Sequence, residues 1–131
     1  MNTGFRTLIA TGAFDATAAL HRVVHLLGFD AETAVGGDDA VRKLAAGGYD
    51  LVLVAHHTPD MDGADLLRWM NETLEPRPVV MIVTDDSRLE TVRLFHRLRS
   101  DGFMSEPVAQ HDLASMILTL RRGEGGAHAA Q

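Results

Sequence analysis

The sequence predicts an α/β fold: an open, doubly wound sheet of five parallel strands with five helices on its two faces. Two observations carry that expectation. Short apolar or β-branched runs alternate five times with longer stretches whose apolar residues recur at helical spacing. Two of the runs, Leu51-Val52-Leu53-Val54 and Val79 to Val83, are apolar without interruption. Only a strand covered by helices on both sides needs that pattern.

In chain order, the first strand is expected at 6–11, followed by a helix that places Leu20, Val23, Val24 and Leu27 on one face. The second strand spans 30–35. Behind it, GDDAVRKLAA supplies an aspartate N-cap and an acidic first turn, which suit the positive end of a helix dipole. The third strand, 50–55, precedes GADLLRWMNETL, whose Leu66, Leu67, Met70 and Leu74 form an inward stripe with Trp69 packed beside it. The fourth strand, 79–84, leads to a helix over 87–99 with Ser87 as N-cap. There Val92, Phe95 and Leu98 face inward and Arg93, His96 and Arg97 outward. The fifth strand, 102–105, precedes a helix over 109–122 that buries Leu113, Met116, Ile117 and Leu120. GEGGAHAAQ has no periodicity, so a single domain over 1–122 with a disordered tail at 123–131 is expected.

Composition narrows the function classes. A chain of 131 residues fits one domain, and without cysteine it can have neither a disulfide nor a thiolate site. A net charge of −6 argues against nonspecific nucleic-acid binding, which needs cations to displace counterions. No effector domain is expected after residue 122. The N-terminus lacks the layout of a signal peptide, and no apolar run could span a bilayer, so a cytoplasmic protein is expected. RLETVRLFHRLR, with four arginines against one glutamate, is a local basic face suited to an acidic protein partner.

Ligands of open α/β sheets bind beyond the carboxyl ends of the strands. The residues expected there are Thr11 and Gly12, Ala55-His56-His57, Thr84-Asp85-Asp86 and Ser105-Glu106-Pro107. Adjacent histidines usually diverge, so one of His56 and His57 should fill the space beside Ala55 and the other should be exposed. Asp60, Asp62, Asp85 and Asp86 are the acids within reach of a metal at these histidines, but no spacing reinforces such a set and no metal or cofactor is assigned. Asp60 and Asp62 in TPDMDG suit a turn and the next helix start. His21 and His25 share a helix face at i,i+4 spacing, read as surface. There is no Ser-His-Asp set or glycine-rich phosphate loop, so no enzyme is expected.

YDLVLVAHHTPDMDG, VGGDDAVRKLAAGGYD, PVVMIVT and DGFMSEPV occur in the order of matching segments in bacterial response-regulator receiver domains, which the chain resembles over about 6–121. The resemblance implies a flavodoxin-like sheet of strand order 2-1-3-4-5 and a cis Glu106-Pro107 bond. It also implies phosphoryl transfer to a strand-tip aspartate with magnesium. At the matching positions stand Ala55 for the nucleophile, Thr11 and Gly12 for the metal-binding acids, Val83 for the hydroxyl residue and Glu106 for the lysine. Thr84, one position late, and Phe103 match switch positions. The resemblance therefore implies a degenerate receiver that binds a protein, or a second copy of itself, without a phosphate signal. The expected partner face holds Arg93, His96, Arg97 and Phe103. The alternative is a small-molecule or metal sensor, with His56 and His57 as pocket ligands beside Thr11, Thr84 and Ser105.

Overall fold

A computed structural model of the chain describes residues 5–11, 14–58, 60–106 and 108–121, with backbone alone for 14–16. Strands and helices alternate as β1 (Arg6–Thr11), α1 (Phe14–Leu26), β2 (Asp30–Val35), α2 (Gly36–Ala46), β3 (Leu51–Ala55), α3 (Gly63–Thr73), β4 (Val79–Thr84), α4 (Leu89–Arg97), β5 (Gly102–Ser105) and α5 (Gln110–Arg121). The sheet runs β2-β1-β3-β4-β5 and every pair is parallel. The expected strands hold, except that β3 begins one residue later. Gly12, Pro107 with its expected cis bond, and the tail at 123–131 lie outside the described residues; among the described ones, the Glu75-Pro76 bond is cis.

Alternation along the strands makes two cores. Leu8, Ala10, Val52, Val54, Val80 and Ile82 pack with Leu44, Leu66, Leu67, Met70 and Phe95 under α2, α3 and α4. Ile9, Leu51, Leu53, Met81 and Val83 meet Leu20, Val23, Val24, Leu113, Ile117 and Leu120 of α1 and α5. Each fully buried Leu, Ile or Val contributes about 1.5–3 kcal/mol by leaving water. Trp69 is half-buried against the first core and Met116 against the second.

The helix starts differ from the local expectation. Neither aspartate of GDDA is the N-cap of α2; that position is Val35, which has no side-chain cap. Asp39 accepts from the Val35 amide at 2.9 Å, while Asp60, from the loop after β3, accepts from the Gly37 and Asp38 amides at 2.8 and 3.0 Å. Helix α4 starts at Leu89, two residues beyond Ser87, and Asp86 organises its first turn. It accepts from the Arg88 amide at 3.1 Å and from the Thr91 hydroxyl at 2.8 Å. That bond turns Thr91 inward, so Thr91 and Phe95 are buried, Leu94 and Leu98 pack on the core, and Val92 is displaced to a half-buried flank.

Candidate functional site

Strand order reverses between β1 and β3, and open α/β sheets bind ligands beyond the carboxyl ends of the strands at such a reversal. Thr11 ends β1 buried, its hydroxyl hydrogen-bonded to that of Thr17 on α1. Ala55 ends β3 half-buried, in register with Val83 of β4. Val83, not Thr84, is therefore the residue beside Ala55, and it packs into the α1/α5 core. Phe103 lies opposite Ile82 on β5, half-buried, with its ring 6.3 Å from that of Phe95. Ser105 and Glu106 are exposed, and the Glu106 amide donates to the Thr84 carbonyl at 2.6 Å.

Thr84 faces the other core and is 2% exposed. Its hydroxyl oxygen accepts from the Asp86 amide at 3.0 Å and lies 3.1 Å from His56 Nδ1. His56 is buried, with its ring edge-on to Phe95 at 5.1 Å between centroids. Burial, then the neighbouring His57, push the His56 pKa below its ordinary value, while Asp62, Asp86 and Asp85 oppose that shift. The ring thus favours the neutral form. His56 is buried against Thr84 and Phe95 and His57 is exposed, but the two do not diverge. Their rings stack 3.9 Å apart at 21°. The reason is the loop: His57 pairs with Asp62 in an isolated antiparallel bridge, which folds the chain back on itself just past β3.

That loop spends its acids on helix ends. Asp62 Oδ1 accepts from the Ala64 amide at 2.8 Å and caps α3. Asp60 serves α2, and the amides it accepts hold its carboxyl below the usual aspartate range. The Gly63 amide donates to the His56 carbonyl at 2.8 Å, and a β-carbon on Gly63 would run into the carbonyl oxygen of Ala55. Only a glycine lets α3 start this close to the end of β3. One ligand atom from each of His56, His57 and Asp62 lies within 4.8 Å of the other two.

The other sequence candidates lie apart. Arg93, His96 and Arg97 are exposed on α4, beside Leu89 at 63% exposure and Arg88, which pairs with Asp86 and Glu90. Arg88 and Thr91 hold Asp86 far below the usual aspartate range. His21 and His25 stack loosely on α1, 6.5 Å between centroids. Asp85 is exposed. Sequence reasoning missed Thr84 as the partner of His56 and Asp60 as a cap of α2, because both partners are more than 20 residues away along the chain.

No helix among the described residues is long and apolar enough to cross a membrane. Residues 8–118 match the family model described as response regulator receiver domain. The chain is 26% identical over 117 residues to the transcriptional regulatory protein TrcR of Mycobacterium tuberculosis (strain ATCC 25618 / H37Rv), covering 89% of this chain and 45% of that one. It is 29% identical over 100 residues to the transcriptional regulatory protein QseB of Escherichia coli O157:H7, covering 76% of this chain and 45% of that one. It thus spans a little under half the length of these relatives. Its fold is similar to the CheY-like receiver domain protein of Methanospirillum hungatei JF-1, with a TM-score of 0.84 at 22% identity, over 92% of this chain and 95% of that one. The chain belongs to the response regulator receiver domain family of two-component signalling.

Proposed function

We propose that this chain is a degenerate receiver, unable to accept a phosphoryl group, that works as a phosphorylation-independent protein-binding or self-associating module. The observation that carries the reading is the methyl group of Ala55 at the tip of β3, with Val83 in register beside it. Neither offers an oxygen to attack a phosphoryl donor. Receiver chemistry also uses magnesium, which demands near-octahedral oxygen ligands. Here the Thr11 hydroxyl is engaged by Thr17, Asp60 gives both oxygens to the amides of Gly37 and Asp38, and Asp86 is held by Arg88 and Thr91. These donors do not fit a magnesium ion. Glu106, standing where the family has a lysine, would repel the charge that phosphoryl transfer needs stabilised.

With the phosphate signal gone, the scaffold and its surface are what remains to act. The exposed Arg93, His96 and Arg97 on α4 suit an acidic partner in an otherwise acidic chain, and such a role belongs in the cytoplasm. Incubation with magnesium and acetyl phosphate, read by intact mass, tests the proposal. Neither the wild type nor Ala55→Asp should gain a phosphoryl group, since a restored carboxylate still lacks a metal and a lysine. Phosphoaspartate in the wild type would end the reading; in Ala55→Asp alone, it would refute the part played by Thr11 and Glu106.

A further inference from the structure

We propose that His56, His57 and Asp62 form a binding site for one divalent transition-metal ion of the zinc, cobalt or nickel class, just past the carboxyl end of β3. The inference goes beyond the protein-binding reading and does not depend on it. Its first support is convergence. The three side chains come from one short loop, yet a ligand atom of each lies within 4.8 Å of the other two. A tetrahedral zinc ion, with bonds of about 2.0–2.1 Å to nitrogen and about 2.0–2.2 Å to oxygen, sets its ligands about 3.3 Å apart. The approach still required is therefore that of side-chain rotation, not of refolding.

The second support is the way the loop is held. The His57–Asp62 bridge, the Thr58 amide on the Met61 carbonyl at 3.2 Å and the Gly63 amide on the His56 carbonyl at 2.8 Å close it between β3 and α3. Each fixed ligand has a supporting partner. Asp62 gives Oδ1 to the Ala64 amide, which leaves Oδ2 for an ion. His56 Nδ1 faces the Thr84 hydroxyl, and when that nitrogen donates its proton there, Nε2 keeps its lone pair free. His57 is exposed and unconfined by the core, so it is the moving part. Stacked rings aim their in-plane lone pairs side by side, and engaging one ion swings the His57 ring out of the stack while buried His56 stays.

The ligand chemistry selects the ion. Two imidazole nitrogens and one carboxylate suit a borderline transition metal, not magnesium or calcium, which prefer all-oxygen sets. Three protein ligands leave a fourth position open at an exposed rim.

The test titrates the untagged 131-residue chain with zinc, and in parallel with cobalt, whose visible absorption reports coordination geometry. The expected result is saturable binding of one ion, a tetrahedral cobalt spectrum, and imidazole NMR shifts at His56 and His57. His57→Ala and Asp62→Asn are the informative variants, because His57 is exposed and asparagine remains a good N-cap for α3. Each should weaken zinc by at least the about 10–100-fold that losing even a supporting partner costs. His21→Gln should leave affinity unchanged. The proposal fails if zinc does not bind, if it binds both variants as tightly as wild type, or if the shifts fall on His21 and His25.

Discussion

Thr84 ties two elements together with one hydroxyl. Its oxygen accepts from the Asp86 amide at the start of the α4 turn and meets His56 Nδ1 at the end of β3. Valine has the same shape without the hydroxyl, so Thr84→Val leaves a backbone donor and a buried ring nitrogen without a partner. Leaving buried polar groups unsatisfied costs about 1–3 kcal/mol. We expect a loss of that size in urea unfolding, as a lower midpoint with an unchanged slope. Asp60 and Asp62 teach the same lesson. Two residues apart, they serve different helices, Asp60 capping α2 and Asp62 capping α3. Composition identifies both as turn acids, but only the path of the loop assigns each to its helix.

Helix α4, like α2, depends on a side chain outside itself. Its N-cap position, Arg88, makes no side-chain cap, and Asp86 binds Arg88 and Thr91 instead. Those bonds to Arg88 and Thr91 depress the Asp86 pKa well below its ordinary value of 3.8. A carboxylate with a depressed folded pKa contributes stability that is complete above its unfolded value and lost as pH falls toward the folded one. Asp86→Asn should therefore be less stable than wild type near neutral pH. The gap should narrow as pH is taken below 3.8, measured by thermal unfolding at each pH. A gap that stays constant with pH would refute the ionic role of Asp86. A serine before an apolar run is the usual cap signal, and Ser87 carries it. Ser87 is not the cap, because Asp86 reaches Thr91 across the whole first turn.

For the whole molecule, stability rests on β3, the central strand, hydrogen-bonded to β1 and β4 and covered on both faces. Leu53 is fully buried there, in contact with the α1/α5 core, whereas Leu118 on α5 is 38% exposed. Leu53→Ala should cost about 2–5 kcal/mol through lost burial and the cavity it leaves. Leu118→Ala should stay within about 0.5 kcal/mol, as surface changes usually do. Denaturant midpoints of the two variants decide the matter.

The alternation of five strands and five helices, and the buried residues of most of them, were legible in the order of amino acids alone. Continuous runs such as Leu51 to Val54 and stripes such as Leu66, Leu67 and Met70 read directly as burial, because backbone geometry repeats every two or 3.6 residues and needs no distant partner. Ala55 at the strand tip was legible too, from position alone. Where the polar side chains go depends on how the folded elements meet. His56 turns to Thr84, 28 residues on, Asp60 reaches back 23 residues to Gly37, and the loop folds His57 and Asp62 onto one another. Hydrophobic burial is non-directional, so its pattern is written locally. A hydrogen bond needs one partner at one distance and angle, and only the folded chain supplies it.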